Sequence, residues 1–361
     1  MHPTRLTIFC FYNSTGTVHS YVLKLLSDLR TVSDRILFVA NGQLSEEGRA
    51  LVSSYTEEIH VRENLGLDYG AYRYALKDIL GESVYAYDEL ILCNDTFFGF
   101  FEPLDGIFDH MSSKDLDLWG MNLVDRNILG HIQSFFLDIK LRNKEFIEDA
   151  FSEEIRTNDY FICEPYIEPR LLYLAKIRGL SYGAYANSNF SDIYSNPMSC
   201  LEKYRLPILK KKSLDPTMCD AKELENALEW IDKNTDYPIG YIRECRAELY
   251  PEDNKKTSVD GKVMSFGDTP ESTFLEWAEE GDFYIYGAGL LGKGLYYTYF
   301  KDNEKFQGYV VSNKANNPEG CFLISELPQD ARVIIGVKAN SQQAVIEKIP
   351  ASMQIISLWK E

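Results

Sequence analysis

The sequence predicts an α/β protein of more than one folded unit, with a mostly parallel sheet in its N-terminal part. Three observations carry this. Short continuous apolar runs rich in β-formers alternate with segments of helical periodicity. The apolar runs end on polar or glycine-containing turns, as strands buried on both faces do. The 361 residues exceed the roughly 250 to 300 at which a single core usually stops growing.

The elements follow in order. Leu6-Thr7-Ile8-Phe9-Cys10-Phe11-Tyr12 reads as a buried strand, closed by Asn13-Ser14-Thr15-Gly16. Val18, Tyr21, Val22, Leu25, Leu26 and Leu29 then recur at the three-and-four spacing of one helix face. Arg35 to Ala40 is a second strand, ending at Asn41-Gly42, and the β-α-β order predicts a parallel pair joined by a right-handed crossover. A helix over 46–55, a strand over 58–62, a glycine-containing turn into a helix over 70–80 and a strand over 89–93 continue the pattern. Parallel sheets of this kind bind ligands beyond the carboxyl ends of their strands. Those ends are Tyr12-Asn13, Asn41-Gly42, Glu63-Asn64 and Asn94-Asp95, all polar, and they outline a site.

Beyond Asp95 come shorter strands, including an alternating His131-Ile132-Gln133-Ser134-Phe135-Phe136-Leu137, and helices over 144–151 and 165–177. Residues 215–270, polar and punctuated by Pro216, Pro238 and Pro251, read as a helical linker with a charged stretch at Glu252 to Lys256. The last ninety or so residues reopen a β-α-β pattern through strands at 282–286, 308–312 and 332–337. The expected division is therefore 1–214, 215–270 and 271–361.

Composition narrows the function classes. A net charge of -18, from 55 acidic and 37 basic residues, opposes binding to a nucleic-acid backbone. Lys210-Lys211-Lys212, with Lys203 and Arg205 upstream, is the local exception: a solvated face, or a contact for anionic lipid or a lipid diphosphate. The 7 cysteines, without paired spacing or CxxC, suit free thiols in a reducing cytosol. The N-terminal segment does not read as a signal peptide, and no apolar run is long enough to span a bilayer, so a cytoplasmic protein is expected.

The Asn94-Asp95-Thr96 strand end could hold a divalent cation through Asp95, or be an ordinary turn. Upstream, Glu63-Asn64-Leu65-Gly66-Leu67-Asp68-Tyr69-Gly70-Ala71 supplies glycines for close backbone approach and a helix start that favours phosphate. This order of motifs resembles the nucleotide-sugar half of GT-A fold glycosyltransferases. More closely, the chain resembles the rhamnan synthesis protein F family over roughly residues 5 to 185. The matching words are Glu63-Asn64-x-Gly66-x-Asp68-x-Gly70-Ala71, Tyr87-Asp88-Glu89-Leu90, Asn94-Asp95-Thr96-x-x-Gly99, Asp117-x-Trp119-Gly120 and His131-Ile132-Gln133-Ser134-Phe135-Phe136.

The resemblance implies a glycosyltransferase. It would move a sugar from a nucleotide donor such as dTDP-rhamnose to a lipid-linked saccharide acceptor of a cell-wall, capsular or O-antigen-type polysaccharide, with inversion. It would work in the cytoplasm, with peripheral contact to the inner membrane face or an assembly complex. Tyr12, Asn13, Asn41, Asn64, Gly66, Asp68, Arg73, Asn94, Asp95 and Thr96 would line the donor, with Asp95 on Mg or Mn if a metal is used. Trp119 and Gln133 would meet the acceptor or else fill the core. Glu164 beside Pro165 is the first choice of base, with Asp159 and His131 as alternates; an acid favoured near a helix start or a satisfied core histidine are the competing readings. The chain departs from the resemblance where Asp-x-Asp would begin, since Cys93 stands there, and where Pro would follow Gly99, since Phe100 does. The other open reading is a non-catalytic nucleotide- or sugar-binding scaffold.

Near the C-terminus, Gly287-x-Gly289-x-x-Gly292 follows a strand and opens a helix, as a dinucleotide fingerprint does. The acid such a fingerprint needs at the end of the next strand is replaced by Ser312-Asn313, so NAD binding is not expected. The segment is similar to the small Rossmann-like modules found beside sugar-modifying enzymes.

Overall fold

The computed structural model describes residues 3–188, 192–250, 270–314 and 320–358. Its contacts divide the chain into two compact units. Unit 1 is Met1–Val124, Ile132–Asn158 and Leu174–Gly261; unit 2 is Asp125–His131, Asp159–Tyr173 and Lys262–Glu361.

In unit 1 the strands β1 (Arg5–Phe11), β2 (Arg35–Asn41), β3 (Ile59–Arg62) and β4 (Glu89–Asn94) lie in the order β3-β2-β1-β4, every neighbour parallel. β1 and β2 bury all but their first residue, which explains their unbroken apolar sequence. The helix Ser20–Leu29 turns Tyr21, Val22, Leu25, Leu26 and Leu29 inward, the stripe its spacing predicts. Each of those leucines contributes roughly 2 kcal/mol of burial free energy.

The short β5 (Phe97–Gly99) follows, and beyond β4 the sheet becomes mixed. The further strands are β6 (Leu118–Val124), β7 (His131–Ile132), β8 (Phe136–Lys140) and β9 (Tyr182–Ala186). β8 runs antiparallel to both β4 and β6, and β9 parallel to β6. The alternating segment 131–137 is not one strand: a turn at Ser134-Phe135 separates β7 from β8.

One strand comes from far along the chain. β10 (Ile208–Lys210) pairs antiparallel with β5, setting Lys210 opposite Phe97. The segment from 215 to 250, expected as a linker, is core material. Its helix Ala221–Asn234 is capped by Asp220 and buries Leu224, Ala227, Leu228 and Ile231 in the cluster that contains Phe9 and Phe38. The helix Ile239–Leu249 adds Ile242 and Cys245 to it. Pro251 and the charged stretch 252–256 lie outside the described residues.

Unit 2 is built on β11 (Phe283–Tyr286), β12 (Phe306–Val311), β13 (Phe322–Leu323), β14 (Arg332–Ile335) and β15 (Gln354–Ser357). All are parallel, in the order β13-β12-β11-β14-β15. Segments 125–131 and 159–173 fall within the expected 1–214 division but group with this unit. For the first the reason is visible: Ile128 and Leu129 pack with Phe274, Phe283, Leu295 and Phe300, and the Leu129 amide donates to Tyr299 Oη at 3.0 Å. All seven cysteines are buried and unbridged. Among the described residues no helix is long and apolar enough to cross a membrane.

Candidate functional site

Because β1 to β4 are parallel neighbours, their carboxyl ends open on one edge of unit 1, where Asp95 is the central group. It is 4% exposed, and its carboxylate accepts from the Tyr12 amide (3.3 Å), Tyr21 Oη (3.0 Å) and Lys211 Nζ (3.1 Å). Lys211 also donates to Tyr21 Oη at 2.8 Å. Asn94, equally buried, donates through Nδ2 to Asp68 at 2.5 Å. Its Oδ1 accepts from both the amide and the hydroxyl of Thr96 (3.0 and 2.7 Å). Lys210 Nζ donates to the same hydroxyl at 2.7 Å and stands 4.3 Å from the centre of the Phe135 ring.

The adjoining turn is shaped by backbone needs. Gly66 has φ +76°, in the left-handed region, and its amide donates to Thr157 O at 2.7 Å. A Cβ on Gly70 would lie 2.0 Å from Leu65 O, so only glycine lets the helix Leu67–Tyr74 approach its own turn. Asn41 ties this turn to β2: Nδ2 donates to Leu67 O (3.0 Å) and Oδ1 accepts from Arg62 (2.6 Å). Arg62 also donates to Leu65 O at 2.7 Å.

Burial first, then the charge of Asp95, pushes the Asp68 carboxyl above its ordinary range; bonds from Asn94 and Cys10 and the nearby Lys210 work the other way. Burial, the largest single influence, works to lower Lys211, but Asp95, Cys245 and Glu248 together raise the ammonium above its ordinary range. Burial and then Asp95 push the Cys93 thiol well up, so this core side chain stays a neutral thiol.

The sequence-predicted donor residues thus separate into two groups. Asp68, Asn94 and Thr96 are bonded to one another, Asp95 is held beside them by Tyr21 and Lys211, and Asn41 and Gly66 shape the adjoining turn. Tyr12 reaches Asp95 through its amide while its side chain is largely exposed. Asn13 organises its own loop, accepting from the amide and hydroxyl of Thr15. Asn64 Oδ1 and Arg73 Nε are buried atoms without a hydrogen-bond partner among the described residues. Tyr21, Arg62, Lys210 and Lys211 belong to the constellation and sequence reasoning missed them. A three-lysine run was the available signal, and it reads equally well as a solvated face.

The proposed acceptor residues are interior. Trp119 packs edge-on against Phe108 at 5.1 Å, and Gln133 accepts from Asn122 at 2.9 Å and donates to Tyr194 Oη at 3.5 Å. Neither has an exposed face: they are 5% and 1% accessible.

The three candidate bases fall in unit 2. The helix expected to begin at Pro165 begins instead at Tyr160, with Pro165 inside it. Asp159 is its cap, accepting from the Phe161 amide at 2.9 Å, and is paired with Lys293 at 2.8 Å. Glu164 lies within the helix, half-buried, and not at its start. His131 is buried, with Nδ1 3.0 Å from Leu129 O and Nε2 3.3 Å from Glu168.

Two of the three glycines of the Gly287-x-Gly289-x-x-Gly292 turn allow close packing. A Cβ on Gly292 would lie 1.8 Å from Gly287 O, and one on Gly287, at φ +108°, 2.8 Å from Gly336 O; Gly289 faces open space.

Several solved structures are similar in outline. They include the inositol-1-phosphate CTP transferase from T. maritima, 13% identical, with 50% of this chain and 85% of that one covered at a TM-score of 0.33. A cytidylyltransferase from Leptospira borgpetersenii is 11% identical, covering 65% and 100% at 0.31. The glycosyltransferase GlyE in Streptococcus pneumoniae is 10% identical, covering 98% and 91% at 0.34. No curated protein matches. The rhamnan synthesis protein F model matches residues 36–257, a span that holds Asn41, the glycine turn, the Asp95 strand end and both Lys210 and Lys211. The chain belongs to the rhamnan synthesis protein F family.

Proposed function

We propose that this chain is a glycosyltransferase that takes a sugar from a nucleotide-sugar donor and passes it to a saccharide acceptor in polysaccharide synthesis. The observation that carries this reading is the convergence of Asp68, Asn94, Asp95, Thr96 and two lysines at the carboxyl ends of parallel strands. That edge offers hydrogen-bonding groups and cations where a sugar diphosphate needs both, and it lies inside the family match. The donor we put forward is dTDP-rhamnose and the acceptor a lipid-linked saccharide, reached from the cytoplasm.

Transfer with inversion breaks the bond between the anomeric carbon and the diphosphate oxygen, which keeps the electron pair. The acceptor oxygen attacks from the opposite face and gives its proton to a base. Glu164 remains our choice for that base.

A thermal-shift panel of nucleoside diphosphate sugars tests the donor reading, because a ligand selective for the folded state raises its melting temperature. We expect at least one donor to stabilise the wild type and none to stabilise Asp95→Ala, whose cells should lose the polymer. A panel without any shift, together with unchanged polymer from Asp95→Ala cells, would sink the proposal. The neutral, buried Cys93 favours a second reading, a binding scaffold without turnover; donor binding with normal polymer from Glu164→Ala cells is its signature.

A further inference from the structure

We propose that Lys210 and Lys211, and not a divalent cation, face the donor diphosphate and offset the charge that grows on it as the glycosidic bond breaks. This rests on the reading of the β1–β4 strand ends as the donor site.

The residues near Asp95 are a poor set for a metal ion. Among the described residues, no group of three or more His, Cys, Asp and Glu side chains is placed to hold one. The position that would begin an Asp-x-Asp pair is Cys93, a fully buried member of the hydrophobic core. The Asp95 carboxylate already accepts from a backbone amide, a tyrosine hydroxyl and an ammonium. Asp68 is bonded to Asn94 and Cys10.

What the site holds instead is positive charge at the same edge. Pairing of β10 with β5 delivers Lys210 beside the Asn94-Asp95-Thr96 turn. The chain then leaves the strand for a short 3-10 helix, Lys211–Leu214, and the Lys211 amide donates to Thr96 O at 2.9 Å. That change of backbone direction brings two consecutive side chains, which would point apart along a strand, to Thr96 and Asp95. Lys210 is 6% exposed, so its charge acts in surroundings where water screens it weakly.

An ammonium is a compact charge suited to phosphate oxygens. When the anomeric bond breaks, the electron pair stays on the diphosphate, which gains one negative charge. A fixed cation beside it stabilises that state. Asp95 then acts as the positioning residue for Lys211.

The test is calorimetric titration of dTDP, UDP and GDP into the full chain, in EDTA and separately in manganese chloride. We expect at least one to bind in EDTA with an affinity within about threefold of its value in manganese. Lys211→Met and Lys210→Met should each weaken it at least tenfold, and Lys211→Arg less than threefold, on proteins whose circular dichroism matches the wild type. Binding that needs manganese, or that survives in both methionine variants, overturns the inference and leaves the donor-site reading standing. No binding of any nucleotide in either condition overturns both. The comparison of EDTA with manganese uses the wild type alone, so a variant that fails to fold does not remove the test.

Discussion

Two turns in this molecule are built alike and end differently. In unit 1, Gly70 lets a helix approach Leu65 O; in unit 2, Gly292 lets a helix approach Gly287 O. Both follow a parallel strand, and both would clash with backbone if a Cβ were added. In the first case the neighbouring strand ends bring Asp68, Asn94, Asp95, Lys210 and Lys211 together. In the second, two of the three glycines are occupied by packing, and the Ser312 hydroxyl at the next strand end is bonded to Tyr286 at 2.7 Å. A glycine-rich turn therefore reports how closely a helix approaches a strand. Chemistry is decided by the side chains that other strands deliver beside it.

That contrast can be broken most sharply at Asp95. Asp95→Ala should weaken nucleotide-sugar binding on the order of a hundredfold in calorimetry, because it removes the group that holds Lys211 and leaves Tyr21 Oη without its carboxylate partner. Gly289→Ala, in a turn without comparable side chains, should leave that affinity within about twofold. An equal loss in both would erase the distinction.

The glycines give the next effect. Gly70→Ala and Gly292→Ala should each cost about 3 kcal/mol in chemical denaturation, since the added carbon meets backbone that cannot move aside, whereas Gly289→Ala should cost under about 1 kcal/mol. A neutral Gly292→Ala would show that the turn in unit 2 is looser than its geometry implies.

pH separates the regions by sign. The Asp68 carboxyl is raised, so the folded state keeps its proton to higher pH than the unfolded chain. Its stabilisation is full below the ordinary value of 3.8 and is lost as pH rises through the raised folded value. Asp159 is lowered, chiefly by the bond from Lys293, so its stabilisation is present above the ordinary value and lost as pH falls through the lowered one. Denaturation midpoints between about pH 3 and 7 should show Asp68→Asn flattening a decline toward neutrality and Asp159→Asn flattening a decline toward acid. The cap gives a modest effect: Asp159→Ala should cost about 1 kcal/mol at neutral pH in chemical denaturation.

Much of the Asp95 edge was legible in the sequence. Four apolar runs with polar ends predict parallel strands whose carboxyl ends share one edge, and Asp68, Asn94 and Asp95 lie at that edge. The lysines were not legible as site residues, because they reach Thr96 and Asp95 from more than a hundred positions away through a three-residue strand pairing that no local pattern encodes. The helix around Glu164 starts before Pro165, although a proline suits the first turn of a helix. Asp159 fits the preference for a short acceptor side chain before a helix and would have given the start. Residues 215–250 looked like a linker because two prolines and many charges masked helices that are amphipathic; their apolar stripes complete the core of unit 1. For Trp119 and Gln133 the structure shows the second of the two readings, the interior, because side chains able to hold a sugar also serve a core.

The most direct test of the proposed donor edge is hydrogen exchange read by mass spectrometry with and without a stabilising nucleotide sugar. The account predicts slowed exchange in peptides covering Tyr12 to Gly16, Asn64 to Gly70 and Asp95 to Gly99, with no change across Gly287 to Gly292. Slowing confined to Gly287 to Gly292, with the first three regions unaltered, would contradict it.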